Sequence, residues 1–233
     1  MSIDLSRLEA LAARIPRNFR DNVTEVKPWY RFDNAKGERA ELSIYGPIDD
    51  WEGVSAANFV RELKAVTASA IDLHINSPGG LIFDAVAIYT ALKRHPAEVD
   101  VHIDGLAASA ASFVAMAGDS VEIEKPAKMM IHDARGVVIG NSADMREMST
   151  LLDELSDTIA DIYAERTGKP AAHWRTAMGR DTWYSAEQAV SAGLADRVAG
   201  GSSDSGVQDR TPANSLKSQL IRARARLALE RVR

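Results

Sequence analysis

Two stretches of this sequence carry residue types and spacings that can do chemistry. The first is Gly105-Leu-Ala-Ala-Ser-Ala-Ala-Ser112, lying between a strand-like run and an apolar helix-like run. A serine at a strand-to-helix turn exposes its Oγ, and the free amides at the helix start are donors for negative charge that develops nearby. The small neighbours Ala107, Ala108, Ala110 and Ala111 meet the steric demand of such a turn around Ser109. The same composition suits a tightly packed small-residue helix, and Ser112, one turn on, is expected to face the packing side. The second stretch is Asn76-Ser-Pro-Gly-Gly80, directly after a buried strand pattern. Two adjacent glycines let backbone amides face a ligand with no side chain between, so the loop can bind an oxyanion or a peptide backbone. A plain turn has this composition too.

A serine hydroxyl is a poor nucleophile until a base takes its proton, and the chain has five histidines. His74 and His102 lie in strand patterns and read as satisfied or edge histidines, while His95, before Pro96, and His173, in a polar region, read as exposed. His132 differs, because it closes the strand Met129-Met-Ile131 and opens the loop Asp133-Ala-Arg-Gly136. Strand ends that feed loops are where α/β proteins gather functional groups. The imidazole needs an acid to fix its tautomer. Asp133 is adjacent, yet neighbours on an extended chain point apart. Asp181, in Gly179-Arg-Asp-Thr-Trp183, is the other choice.

The elements that must position these groups alternate. Ala40–Gly46 reads as a first strand, Asn58–Val66 as a helix, Ile71–Ile75 as a buried strand and Phe83–Arg94 as a helix packed through Phe83, Val86, Tyr89 and Leu92. Val99–Ile103 follows as a strand, Ala107–Ala117 as an apolar helix, and Val121–Ile123 and Met129–Ile131 as short strands. This βαβ rhythm predicts an α/β fold. A helix from Ser142 to Thr167 carries Met145, Met148, Leu151, Leu152, Leu155, Ile159 and Ile162 as a stripe, with Gly168 and Pro170 to end it. It is longer than a small core needs, so it either packs on the core or projects toward a second subunit.

Composition bounds the rest. A chain of 233 residues with 45% hydrophobic residues supports one substantial domain, and zero cysteines remove disulfides, thiolate metal sites and cysteine nucleophiles together. No run approaches a membrane span, and Met1-Ser-Ile-Asp4 lacks the order of a secretory signal, so a cytoplasmic location is expected. The net charge of −5 gives no general reason to expect nucleic acid as a partner. The charge is uneven, however: six basic residues against Glu230 make the segment 214–233 a basic amphipathic tail. The organisation read from the sequence is a 1–39 extension with a short amphipathic helix, a 40–199 domain, a 200–213 flexible linker and the 214–233 tail.

Taken together, the motifs resemble those of the proteolytic subunit of the Clp protease, over about Leu42 to Val198. Asn76-Ser-Pro-Gly-Gly80 is similar to the family's oxyanion loop, Gly105-Leu-Ala-Ala-Ser109 to its nucleophile motif and Met130-Ile-His-Asp133 to its histidine motif. Asp181-Thr-Trp-Tyr-Ser-Ala-Glu187, followed by Gly193-Leu-Ala-Asp196, is similar to its aspartate segment and closing strand. The resemblance implies a serine endopeptidase with Ser109 as nucleophile, His132 as base, Asp181 as the residue orienting it, and the amides of Gly80 and Ala110 as oxyanion hole. It implies no cofactor and no metal. It further implies a crotonase-related fold of stacked βαβ units, rings of subunits, commonly heptamers, and the 142–167 helix as an oligomerisation element. Trp29-Tyr-Arg-Phe-Asp-Asn34, Ile48-Asp-Asp-Trp-Glu-Gly-Val-Ser-Ala56 and Asp104–Ser112 resemble the phage and prophage subgroup that matures capsid or scaffolding protein during head assembly. The alternative is a housekeeping subunit degrading unfolded polypeptide with a Clp ATPase. A crotonase-like acyl-CoA enzyme would leave the three catalytic-type residues without a task, and the complete set argues against an inactive ring subunit.

Overall fold

The computed structural model describes residues 29–33, 38–49 and 55–200. The expected amphipathic helix near the N-terminus, the Asn34–Gly37 turn, the linker and the basic tail lie outside them, apart from the linker's first residue, Gly200. The strands are β1 (Tyr30–Asp33), β2 (Arg39–Tyr45), β3 (Ala70–Ser77), β4 (Glu98–Ala108), β5 (Ser120–Ile123), β6 (Lys128–Ile131), β7 (Thr182–Ser185) and β8 (Arg197–Val198). The helices are α1 (Ala56–Ala65), α2 (Ile82–Arg94), α3 (Ala110–Ala115), α4 (Ser142–Thr167), α5 (Ala171–Met178) and α6 (Ala186–Ala192). The sheet runs β1-β2-β3-β4-β5-β8, with β2 to β5 and β8 parallel and β1 antiparallel on the edge. The expected α/β architecture of Clp type is present.

Alternation along the strands explains the layering. Leu42 and Ile44 of β2, Ile71, Leu73 and Ile75 of β3, Val99, Val101 and Ile103 of β4, and Val121 and Ile123 of β5 are all buried. Successive strand residues point to opposite sides, so these apolar residues share one face of the sheet. The other face carries Arg39, Asp72, His74, Asp100, His102 and Glu122, where Arg39 bridges Asp72 and Asp100 and the two imidazoles stack with centroids 4.8 Å apart. His74 also pairs with Asp104 at 2.9 Å and His102 with Asp72 at 3.4 Å, so both strand histidines are satisfied, as their setting predicted.

Three sequence readings are corrected. The helix α2 buries Ala85, Ile88 and Leu92, while Phe83 is 62% exposed, because the stripe runs at steps of three and four and not at three throughout. His95 is buried, not exposed; its Nδ1 accepts the Ala97 N–H at 3.1 Å and so stabilises the turn before β4. The apolar helix expected from Ala107 begins only at Ala110, since β4 runs on through Ala108. By contrast, α4 spans the predicted residues, with Asn141 and Asp144 forming a capping box at its start and Gly168 capping its end. Its C-terminal half buries Ile159, Ala160, Ile162 and Tyr163, whereas Met145 and Leu151 toward its N-terminus are exposed. The stripe thus divides into a packed half and a half available to a partner.

Candidate active site

The site is assembled where β4 is shared between two branches of the sheet. Asp100–Ile103 of β4 pair with β5, and Leu106–Ala108 pair with β6. The second branch continues antiparallel from β6 to β7, with Ile131 opposite Thr182. The next facing positions in that register are His132 and Asp181, and the β4 strand beside them ends at Ala108, one residue before Ser109. The Ser109 N–H donates to the Met130 carbonyl at 2.9 Å, extending the ladder by one residue and fixing the serine next to the end of β6. Residues distant in sequence are thereby gathered at one strand end.

Ser109 and His132 meet. The Ser109 Oγ lies 2.8 Å from His132 Nε2, within hydrogen-bond reach for proton transfer. Ser109 adopts φ 53° and ψ −125°, a sharp strand-to-helix turn that projects its Oγ. Among the described residues, Ser109 and Asp181 are the only non-glycine residues with positive φ. Such backbone costs on the order of 1–3 kcal/mol per residue and persists where the surrounding structure over-determines it. Two of the sequence-predicted site residues therefore hold the strained positions of the fold.

Asp181 stands opposite His132 in register, but its carboxylate is engaged by the Arg135 guanidinium. The His132 Nδ1 donates to the main-chain carbonyl of Asp133 at 2.5 Å. The Asp133 carboxylate is held by Arg175 of α5. No sequence pattern marks Arg135 and Arg175 for these roles; two arginines facing two aspartates across different elements show only once the chain is folded.

Gly79 presses against the same turn, and Gly80 against the Ile48 backbone. A Cβ on Gly79 would lie 2.7 Å from the Ala110 nitrogen and 2.6 Å from the Ala108 oxygen, so only a glycine lets the loop approach so closely. Gly80 forms a parallel bridge with Ile48, whose N–H donates to Gly79 O and whose carbonyl accepts from Leu81 N. In a parallel bridge the flanking residues make both bonds, leaving the N–H of Gly80 on the side away from Ile48. The Ala110 N–H opens α3 and has no partner within the helix. Ser77 locks the loop, donating to the Gly46 carbonyl at 2.6 Å and accepting the Gly79 N–H at 3.1 Å.

Behind the nucleophile, Ser112 is buried on the packing side, as expected. Its hydroxyl donates to the Ser109 carbonyl at 2.5 Å, so the oxygen accepts from the Tyr163 hydroxyl at 2.7 Å. Complete burial pushes the Tyr163 phenol far above the usual tyrosine range, keeping it a donor. This contribution is full below the unfolded-state value of about 10 and is lost as pH climbs through the folded value. Tyr163→Phe is expected to cost about 1 kcal/mol, lowering Tm by roughly 2–4 °C at neutral pH, and to flatten the alkaline loss of stability. Thermal unfolding at pH 7 and pH 10.5 checks both; an unchanged alkaline slope would refute the assigned role.

Comparison with known proteins decides the family. The Clp protease family matches residues 35–202. The chain belongs to the Clp protease family. It is 31% identical over 186 residues to ATP-dependent Clp protease proteolytic subunit 2 of Chlamydia pneumoniae, covering 73% of this chain and 91% of the relative. It is 30% identical over 197 residues to the proteolytic subunit 1 of Chlamydia felis, covering 78% and 97%. A third relative, the ATP-dependent Clp protease proteolytic subunit of Pleurastrum terricola, is 34% identical over 129 residues, covering 54% of this chain and 66% of the relative. This Clp-family protein is accordingly a serine-type peptidase. Among the described residues no helix is long and apolar enough to cross a membrane, and no cluster of ligating side chains forms a metal site.

Proposed function

We propose that this Clp-family peptidase hydrolyses peptide bonds through an acyl-enzyme on Ser109. Ser109 Oγ attacks the scissile carbonyl while His132 Nε2 takes its proton; the proton then passes to the leaving amine, whose departure leaves the acyl ester. Water, deprotonated by His132, hydrolyses the ester and returns the enzyme. The amides of Gly80 and Ala110 receive the oxyanion, each donor being worth about 10²–10³ in rate. Asp181 orients the imidazole once its carboxylate leaves Arg135 for Nδ1. The observation that carries this reading is the 2.8 Å contact between Ser109 Oγ and His132 Nε2 at a positive-φ strand-to-helix turn.

The substrate we propose is a phage capsid or scaffolding protein, processed by self-assembled rings during head maturation. Support comes from the segments similar to that subgroup, from the basic tail of 214–233, and from the half-exposed α4, whose Met145 and Leu151 suit contact with another copy. The second reading, degradation of unfolded polypeptide fed by an ATPase, is favoured by the names of the relatives, which are ATP-dependent subunits. A fluorophosphonate probe is expected to modify one residue, Ser109, as located by mass spectrometry, with loss of peptidase activity. Labelling elsewhere with activity retained on a Ser109→Ala background would refute the nucleophile. Cleavage of capsid or scaffold protein without ATP supports maturation, and dependence on a Clp ATPase supports the second reading.

A further inference from the structure

We propose that the polar face of the sheet is a docking surface for the chain's own basic tail, residues 214–233, bound in cis. The face deepens over β1 to β4 into a cleft of about 800 Å³, lined by Glu41, Ser43, Tyr45, His74 and Asp104 together with the Arg31–Asp33 pair. Alternation sets these strand residues opposite the buried Leu42, Ile44 and Leu73, so they look outward, and Tyr45 is 48% exposed. The lining is short of positive charge. With Asp72, Asp100 and Glu122 further along the face, and apart from the two imidazoles, six carboxylates meet three guanidiniums, those of Arg31, Arg39 and Arg197. Tyr45 registers the excess: burial, then its hydrogen bond to Asp104 and the charges of Asp104 and Glu41, push its phenol up to about 12. A negative cleft with an open aromatic edge suits guanidinium and ammonium groups.

Charge, register and reach name the occupant. In 214–233 the bases Lys217, Arg222, Arg224, Arg226, Arg231 and Arg233 stand against Glu230 alone. The strand register carries the connection to the same end of the sheet, since Val198 pairs with Ile123, Ile123 with Ile103, Ile103 with Ile75 and Ile75 with Ile44. Tyr45 and Asp104 are the next residues of their strands, so β8 ends level with the cleft. It lies three strand spacings from β3 and four from β2, about 14 and 19 Å. Thirteen residues, 201–213, join Gly200 to the tail, and a chain of that length reaches at most about 45 Å, so the cleft is well inside the tail's range. Tethering raises the effective concentration of the tail, so a few modest charge pairs suffice to hold it.

A second cleft supplies the contrast. It has a volume of about 580 Å³ and lies between α5, α6 and β7, where Lys169, His173 and Arg180 stand beside Trp183 and Tyr184. Ser191 in its wall precedes Arg197 of β8 by six residues, a separation of at most about 20 Å, so the tethered tail can reach this cleft too. Its charge has the wrong sign for the tail. The sheet face is therefore favoured by electrostatics and not by distance alone.

The chain has no cysteine, so engineered pairs form disulfides without background. In the full chain at low ionic strength, Ser43→Cys combined with Ala225→Cys and oxidised by glutathione disulfide is expected to cross-link within the chain about tenfold faster than Ser191→Cys combined with Ala225→Cys. Each rate is normalised to that cysteine's own reaction with glutathione disulfide. Salt at about 1 M, which screens charges beyond about 3 Å, should bring the two rates together. Glu41→Lys, and separately the joint change of Arg222, Arg224 and Arg226 to Gln, should each slow the Ser43 cross-link and leave it no faster than the Ser191 one. Equal rates at low salt, or a preference that salt does not remove, overturn the proposal. So does a cross-link that forms only between chains when two single-cysteine variants are mixed, because the face then receives a neighbour's tail. Circular dichroism separates a folded variant from a collapsed one, and no outcome depends on Ser109 or His132, so the peptidase reading stands or falls separately.

Discussion

Ser109→Ala, His132→Ala and the double variant are expected to lower kcat for peptide hydrolysis by nearly the same amount, about 10⁶-fold. The hydroxyl is useless as a nucleophile without a base 2.8 Å away, and that base has nothing to deprotonate without the hydroxyl. The two side chains therefore form one device, and the second deletion removes nothing that the first has left working. Residual hydrolysis above the rate in water would come from the amides of Gly80 and Ala110, about 10³–10⁴-fold. Steady-state kcat for the three variants, with mass-verified protein free of wild-type carry-over, checks the pattern. Losses that multiply in the double variant would mean that the two residues act separately. A companion measurement tests the strain: Ser109→Gly should be as inactive as Ser109→Ala yet more stable by about 1 kcal/mol, because glycine accepts φ 53° without a Cβ. Equal stability of the two variants would deny that strain is stored at the turn.

The parts of this fold that the sequence disclosed are those in which local pattern and tertiary packing agree. Alternation in β2, β3 and β4 marked the buried face, and the long helix α4 announced its C-terminal end through Gly168. Around the nucleophile local pattern fell silent, because Leu106 to Ala111 is apolar and small on either side of the strand-to-helix boundary. Only the pairing of Leu106–Ala108 with β6 decides that these residues are strand and that Ser109 is the turn. The branch bearing β7, with α5 and α6 beside it, was read as motif and not as structure, since four-residue strands offer no period to recognise. Ser109 and His132 were legible as types at strand ends. Asp181 was chosen over Asp133 by resemblance; the register of β6 on β7 pairs Ile131 with Thr182, one position short of His132 and Asp181, while the Asp181 carboxylate is held by Arg135. What no sequence pattern carried was the competition for those carboxylates by Arg135 and Arg175, which are contacts between segments tens of residues apart.

Gly79→Ala is expected to be among the most damaging single changes outside the Ser109–His132 pair. The added Cβ would sit 2.6 Å from the Ala108 oxygen, 2.7 Å from the Ala110 nitrogen and 2.7 Å from the Ser109 Cβ, at φ +92°. Two of these neighbours are backbone in a paired strand and a helix start, so neither can rotate aside, and the loop must withdraw. Withdrawal breaks the Gly79 N–H bond to Ser77 Oγ, which locks the loop, and the Ile48 N–H bond to the Gly79 carbonyl, one of the two that hold Gly80 in its bridge. Strain and lost bonds together are expected to reduce stability by roughly 2–4 kcal/mol. Displacement of the Gly80 amide should lower kcat a further 10²–10³-fold, about the effect of one oxyanion donor. Ser77→Ala separates the two effects, because it removes the lock on the loop without adding bulk against Ser109. It should therefore show a smaller fall in kcat with KM little changed. Denaturant unfolding and kcat measured on both variants check this ordering. If Gly79→Ala keeps wild-type kcat in its folded fraction, the glycine pair is a turn and the oxyanion donors lie elsewhere.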